Sequence, residues 1–428
     1  MTTPNSTNTS RGGGESPASP RALDGLKVLD LTRLLPGAFA SQILADMGAD
    51  VIKIEHPVGG DYNRTFPPLA KTESGSFLLL NRNKRSVTLD LKVTAARGAF
   101  LRLVETADIV LEGYRPGVMD RLGVGYEVLS RVNPGIIYCA ISGYGQDGPK
   151  RDAPGHDLNY LAEAGALQLF GTPGKPPLVP GLSIADVGGG SLMATTGILA
   201  ALLARSRTGR GQFVDISMFD GSVSWLSLHG PDYLFAGIEP RGGERRFIGQ
   251  APCYNVYRCA DGKDVALGII EEQFWLRFCD AVGLPELKAN QWPVGADAAA
   301  QREVLIALFM SDTRDNWVVR LAPADLPFGP VLNMAEAFAD PHLQHRQMLQ
   351  YVDHPLEGRI PQLGFPIKLS GTPCDIRSAP PLLGQHSSEV LAEVGFSEED
   401  IAQLRALGAV GADPIAGWDV SLREQEKP

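Results

Sequence analysis

Short β-branched runs alternate with helix-length stretches along the first half of the chain. That alternation confines the sequence to a small set of folds. Lys27–Thr32 (KVLDLT) is β-rich, and a turn with Pro36 and Gly37 follows. Ala38–Met47 has helical periodicity closed by Gly48, and Asp50–Glu55 (DVIKIE) is a second strand. This βαβ unit predicts a parallel pair with a right-handed crossover. The pattern continues with a strand at Val87–Leu91, a helix at Ala95–Thr106, a strand at Asp108–Tyr114, a helix at Met119–Val132 and a strand at Ile136–Ser142. Gly188–Gly190 leads into a long helix, Ser191–Ser206, and Gln212–Met218 is a further strand. The expected fold class is α/β: a large doubly wound, Rossmann-like parallel-sheet domain with ligands at the carboxyl ends of its strands. No G-x-G-x-x-G follows the first strand, which disfavours a dinucleotide site. The absence of G-x-x-x-x-G-K-[ST] excludes a P-loop.

A chain of 428 residues exceeds one ordinary core, so a second domain is expected. Composition turns to Gly and Arg over 237–249 (GIEPRGGERRFIG). A domain boundary is placed just before this stretch, and a second domain is read from there to about 350. Residues 351–385 are rich in Pro and Gly and read as mostly extended, and Ser388–Leu407 reads as a closing helical pair. Residues 1–24 are rich in Ser, Thr, Pro and Gly and carry no apolar core of a secretory signal; they read as a disordered tail. The longest apolar stretch, Met193–Ala204, is too short to cross a bilayer and reads as a buried helix, so no membrane span is expected.

The net charge of −10 disfavours nucleic acid or an anionic membrane as a partner, and any anionic ligand would need a local basic patch. Basic residues do concentrate in the N-terminal half: Arg33, Lys53, Arg82, Lys84, Arg85, Lys92, Arg115 and Arg121. They are either an ordinary charged surface or a phosphate cradle at the strand ends. Cys139, Cys253, Cys259, Cys279 and Cys374 form no CxxC pair and no zinc spacing, which points to a reduced, cytoplasmic setting and no metal site.

Three acid–base candidates stand out. His156, in Gly155-His156-Asp157, is the side-chain type that titrates nearest neutrality; a lone loop histidine is more often structural. Asp186 ends an apolar run and opens a helix through Gly188–Gly190. It is either an N-cap or a carboxylate beside bare N–H groups able to hold an anion or enolate oxygen, and the three glycines allow another backbone or a ligand to approach closely. Glu271, in GIIEEQFW, follows a predicted strand; it is either solvated or a partner that orients His156.

Several stretches together resemble the class III coenzyme A (CoA) transferase, or CaiB/BaiF, superfamily, and in motifs are most similar to its α-methylacyl-CoA racemase branch. They are LDGLKVLDLTRLLPGAFASQILADMGADVIKIEHP, NRNKRSVTLDLK, DIVLEGYRPGVMDRLGVGYE, SGYGQDGP, GHDLNYLA, IADVGGG, TGRGQFVDISMFDG and GQHSSEV, spread over about residues 23–410. The resemblance implies a large domain over 25–225 and 360–428, joined by linkers at 226–239 and 346–359 to a small α/β domain over 240–345, in an interlaced homodimer with each active site between the large domain of one subunit and the small domain of the other. It implies an acyl-CoA thioester as substrate, with CoA lying on the large domain and no metal or redox cofactor. For CoA it implies contacts from Arg33, His56, Arg85, Leu89, Lys92, Gly113, Tyr114, Arg115, Arg121, Tyr144 and Gly145.

The resemblance also divides the chemistry. In the transferases the aspartate matching Asp186 is a nucleophile that forms an anhydride and then an aspartyl thioester. The racemases use it as an acid–base group, with a histidine in GHD and a glutamate in an IEPQF-like motif, matching His156 and Glu271. Leu182 stands where the racemases usually carry Asn, and His56 where an Arg is often found. The expected reaction is inversion at the α-carbon of a 2-methylacyl-CoA-like thioester by His156 and Asp186 on opposite faces of an enolate, with the Asp186–Gly190 turn as a candidate source of enolate donors. The alternatives are CoA transfer between carboxylic acids through Asp186, and acyl-CoA binding without catalysis.

Overall fold

The computed structural model of the chain describes residues 20–412. β1 (Lys27–Asp30), β2 (Asp50–Glu55), β3 (Lys84–Thr88), β4 (Ile109–Glu112), β5 (Ile137–Ser142) and β6 (Phe213–Ser217) form one sheet in the order β3-β2-β1-β4-β5-β6. Every neighbour is parallel; Val28 of β1 pairs with Val51 on one side and Ile109 on the other. Every residue of β4 and β5 is buried, as expected of strands covered on both faces. One face packs Phe100 and Leu103 of the Thr94–Glu105 helix with Val390 and Leu404 of the closing helices Ser387–Glu393 and Glu398–Ala406. The other face packs Ile43 and Leu44 of the Leu34–Asp46 helix with Ala194 and Ile198 of the Met193–Thr208 helix. The strand order reverses between β1 and β4, so a crevice opens at their carboxyl ends.

Several expectations are corrected. The helix read over Met119–Val132 is two, Val118–Arg121 and Tyr126–Val132, because Gly123 takes φ +76° between them. β3 starts three residues earlier than expected, at Lys84, whose charge is paired inside the protein. The helix after the Asp186 motif is longer than expected. It begins as a π-helical stretch, Ala185–Leu192, and continues as the Met193–Thr208 α-helix. The combined run is long and apolar enough, by length and composition, to cross a membrane; here it packs against the sheet through Ala185, Ala194 and Ile198.

The remaining chain forms a three-stranded antiparallel sheet of β7 (Tyr254–Arg258), β8 (Asp264–Gly268) and β9 (Phe328–Pro330). Helices Glu272–Val282, Gly295–Phe309 and Arg314–Leu321 cover it around Trp275, Phe278, Phe309 and Trp317. The segments read as linkers carry structure. A helix spans Gly230–Ala236, and residues from 349 onward form a hairpin of β10 (Leu349–His354) and β11 (Gly358–Leu363). Gln362 anchors this hairpin by donating to the Leu78 carbonyl, 2.9 Å away. Of the tail read over 1–24, residues 1–19 lie outside the described residues; Leu23 is buried and Arg21 pairs with Asp375 at 3.0 Å. Residues 413–428 also lie outside.

Three of the basic candidates are neither surface nor cradle. Lys53, Arg82 and Lys84 are buried and matched to Asp61, Asp46 and Asp30, at 2.8, 2.6 and 3.3 Å. The Lys84–Asp30 pair ties β3 to β1, the other two tie loops to β2 and to the end of the Leu34–Asp46 helix, and removing one partner would leave a buried charge uncompensated. Burial, only partly offset by Asp30, brings the Lys84 ammonium down to about 8.

Candidate active site

The crevice at the carboxyl ends of β1–β4 holds a cavity of about 480 Å³. It is lined by Arg33, His56, Leu89, Lys92 and Tyr114, five of the residues expected to hold CoA, together with Tyr62. The Arg33 guanidinium lies between two rings, 4.9 Å from the Tyr62 centroid and 5.2 Å from that of Tyr114, and donates to the Tyr62 hydroxyl at 2.9 Å. His56 accepts from the Val58 amide at 3.1 Å, and its Nε2 is 3.8 Å from Asp90. Lys92 is exposed at the rim. The walls are set from beneath: the buried Lys53 ammonium bonds the Thr32 carbonyl at 2.9 Å and Asp61 at 2.8 Å, joining the loop after β1 to the loop that carries Tyr62. Gly113 and Arg115 are exposed beside Tyr114, and Arg121 closes the short helix after them.

The same first turn of the Leu34–Asp46 helix borders the second half of the site. Arg33 faces the cavity, while the Pro36 carbonyl accepts from Ser191 in the π-helical stretch, at 2.6 Å. That stretch carries Asp186, so the cavity and the carboxylate flank one helical turn. Asp186 is not an N-cap; it is the second residue of the π-helical stretch and is half-buried. Its amide donates to Asp157 Oδ1 at 3.0 Å, and the Val187 amide is taken by the Ser183 carbonyl. Gly188–Gly190 are buried. A Cβ on Gly189 would stand 2.7 Å from the Met218 carbonyl, and one on Gly221 would stand 2.3 Å from Gly189 Cα. The glycines therefore let the Met218–Ser224 helix approach, and the Asp186 and Val187 amides ahead of them are engaged rather than bare. The turn presents a carboxylate. π-turns of this kind are frequent at functional sites.

His156 caps the Asp157–Glu163 helix and is exposed; its amide donates to Asn159 Oδ1 at 3.1 Å. Burial raises the Asp186 carboxyl to about 6; the Asp157 charge adds to the rise and His156 opposes it. His156 and Asp186 thus feel each other across the site. Burial also lifts the Tyr160 phenol to about 12, with Asp186 and Tyr144 adding and Arg115 opposing. Tyr160 donates to the Gly155 carbonyl. Tyr144 meets Tyr160 edge-on at 5.3 Å, and Gly145, with φ +88°, donates to Ser142 Oγ.

Two expected residues lie apart. Arg85 sits near the start of β3, bonded to Asp50 at 2.6 Å, Glu389 at 3.0 Å and Glu393 at 2.5 Å. Glu271 is exposed at the start of the Glu272–Val282 helix, and among the described residues no hydrogen bond or ion pair joins it to His156 within one chain. The sequence reading passed over Tyr62, Asp61, Asp157 and Tyr160. Only Asp157 and Tyr160 carried a local signal, as neighbours of His156.

A doubly wound domain with a strand-end cavity and a near-neutral carboxylate beside a histidine defines a site suited to an extended anionic ligand with a reacting end. The sequence profile of CoA-transferase family III matches residues 23–387, and the chain belongs to that family. It is similar to an acyl-CoA transferase of Fusarium pseudograminearum, with 37% identity over 92% of this chain and 89% of the relative. It is also similar to human α-methylacyl-CoA racemase, with 33% identity over 90% and 96% of the two chains. A crystal structure of a CaiB/BaiF family protein from Brucella suis superposes with TM-score 0.77 and 32% identity, covering 88% of this chain and all of that one.

Proposed function

We propose that this enzyme is an acyl-CoA racemase or epimerase that inverts the α-carbon of a 2-methylacyl-CoA-like thioester. The observation that carries the reading is the Asp186 carboxyl, poised at about 6 by burial and by Asp157, with its amide tied to the helix that His156 caps. Two proton carriers of different type, one on each face of the enolate, are what inversion needs. One removes the α-proton, and the C–H electrons pass into the enolate. The other returns a proton to the opposite face, and the roles exchange in the reverse direction. The cavity lined by Arg33 and Lys92 would hold the CoA phosphates, and its binding energy would fix the thioester between the two carriers. CoA enters as part of the substrate, and no separate cofactor takes part in this scheme.

A second reading is kept by the similar identity to a relative named as a transferase. There, Asp186 attacks the thioester carbonyl, CoA thiolate leaves, and an acyl–aspartyl anhydride is formed; His156 then has no proton to carry. The two readings separate in D₂O with a single 2-methylacyl-CoA epimer. Inversion with deuterium at the α-carbon, lost in His156→Ala, supports the racemase. Absence of exchange, with hydroxylamine-trappable acyl attachment at Asp186 in the presence of an acceptor acid, would overturn it in favour of transfer.

A further inference from the structure

We propose that Asp157 is a positioning residue for Asp186: it pins the backbone of the reacting carboxylate to the histidine loop and keeps a second negative charge beside it. The inference rests on Asp186 being the reacting carboxyl, which both readings above share. The geometry begins with the turn that carries His156. Its amide is held by Asn159 Oδ1 at 3.1 Å, and the preceding Gly155 carbonyl accepts from Tyr160. The turn is therefore fixed from within its own helix, and the Asp157 side chain is left free to reach outwards. A first-turn aspartate ordinarily faces solvent, where it complements the helix dipole. This one crosses to a segment 29 residues away and accepts the Asp186 amide at 3.0 Å. That amide stands in the first turn of the π-helical stretch, where main-chain donors lack helical partners.

Two consequences follow. The hydrogen bond sets where Asp186 stands relative to His156, and a displacement of about 1 Å between reacting groups can cost about a hundredfold in rate. The charge disfavours ionisation of Asp186. Among the charged groups around Asp186, Asp157 raises its carboxyl and His156 lowers it. Asp220, on the helix packed against the π-helical stretch, acts instead on Asp215. Asp46, at the far end of the Leu34–Asp46 helix, is committed to Arg82 and Asn83.

The test uses the full-length protein with two substitutions. Asp157→Asn keeps an oxygen able to accept the Asp186 amide and removes the charge; Asp157→Ala removes both. Ionisation of Asp186 is read without turnover from the pH dependence of carbodiimide labelling at that residue, quantified by peptide mass spectrometry. In both variants the midpoint should fall by roughly half to one pH unit from its wild-type position. The acid limb of kcat/KM for α-proton exchange or CoA transfer should move with it. At the optimum pH, kcat should stay within about threefold in Asp157→Asn and fall about tenfold or more in Asp157→Ala, with KM little changed.

An unmoved labelling midpoint in Asp157→Asn overturns the charge role. Equal loss of kcat in both variants overturns the positioning role. Should Asp157→Ala fail to fold, the Asp157→Asn midpoint and kcat still decide. Should the wild-type protein neither exchange nor transfer, the functional reading fails, while the labelling midpoint still tests Asp157.

Discussion

Arg33 and Arg85 are both held by neighbours, but by neighbours of different kinds. Arg33 rests on the faces of Tyr62 and Tyr114 at the cavity wall and makes no ion pair among the described residues. Arg85 is surrounded by three carboxylates, which outweigh its partial burial and hold its guanidinium above the ordinary value. Arg33→Ala should therefore weaken CoA binding about tenfold by calorimetry, the loss of roughly one charge-assisted contact. Arg85→Ala should leave CoA affinity within about twofold and lower the Tm, since three carboxylates would lose their cation. Burial also sets a pH signature at Glu112, at the carboxyl end of β4, whose carboxyl it pushes up to about 8. Below its ordinary value, Glu112 is protonated in both folded and unfolded chains. Between that value and about 8 the unfolded chain releases the proton and the folded one keeps it, so stability falls as pH rises through this window. Glu112→Gln can still accept the Tyr114 amide and has no proton to lose. It should gain about 2 kcal/mol over wild type at pH 8 and almost nothing at pH 4, by denaturant titration. The sequence made His156 and Asp186 legible because each sits in a short motif. Asp61 and Tyr62 were not, since their place comes from the loop after β2 folding back over the end of β1, and no local pattern records that.

The strands were legible because a parallel sheet buried on both faces demands apolar β-branched runs, and Lys27–Thr32, Asp50–Glu55 and Ile136–Ser142 satisfy this within a residue or two. The hairpin of β10 and β11 was missed because its strands carry Pro361 and lie among Pro- and Gly-rich segments. The π-helical stretch was illegible for a different reason. Its three glycines answer to the helix at Met218–Ser224, which lies some thirty residues further along, and local reading could not choose between another backbone and a ligand as what approaches them. This yields a graded expectation. Gly189→Ala places a methyl group 2.7 Å from a backbone carbonyl that cannot move without shifting the helix, whereas Gly188→Ala meets the side chain of Trp225 at 2.8 Å, which can turn aside. Gly189→Ala should destabilise by about 1–3 kcal/mol, and Gly188→Ala by clearly less, in chemical denaturation. Because the stretch carries Asp186, Gly189→Ala should also lower kcat with little change in CoA affinity.

At the scale of the molecule, the cavity, His156 and Asp186 belong to the six-stranded domain, and Glu271 to the domain built on β7–β9. Within one chain nothing ties Glu271 to His156 among the described residues. If Glu271 orients His156, the two meet across a pair of chains, which is the arrangement that the family resemblance implies. The consequence can be tested by complementation. Consider a dimer of one Asp186→Asn chain and one Glu271→Ala chain. With sites shared across the pair, one site collects both substitutions and the other collects none, so an intact site is regenerated. With sites confined to single chains, each chain keeps its own lesion and no intact site exists. Random pairing of equal amounts makes half the dimers mixed, each with one of two sites restored. Co-refolded mixtures of the two inactive variants should then recover about a quarter of wild-type activity. The homodimers refolded separately should remain inactive, and mixing them without refolding should restore nothing while the chains stay paired. Recovery at the level of the separate variants would place Glu271 outside the shared site and leave Asp186 and His156 to work without it.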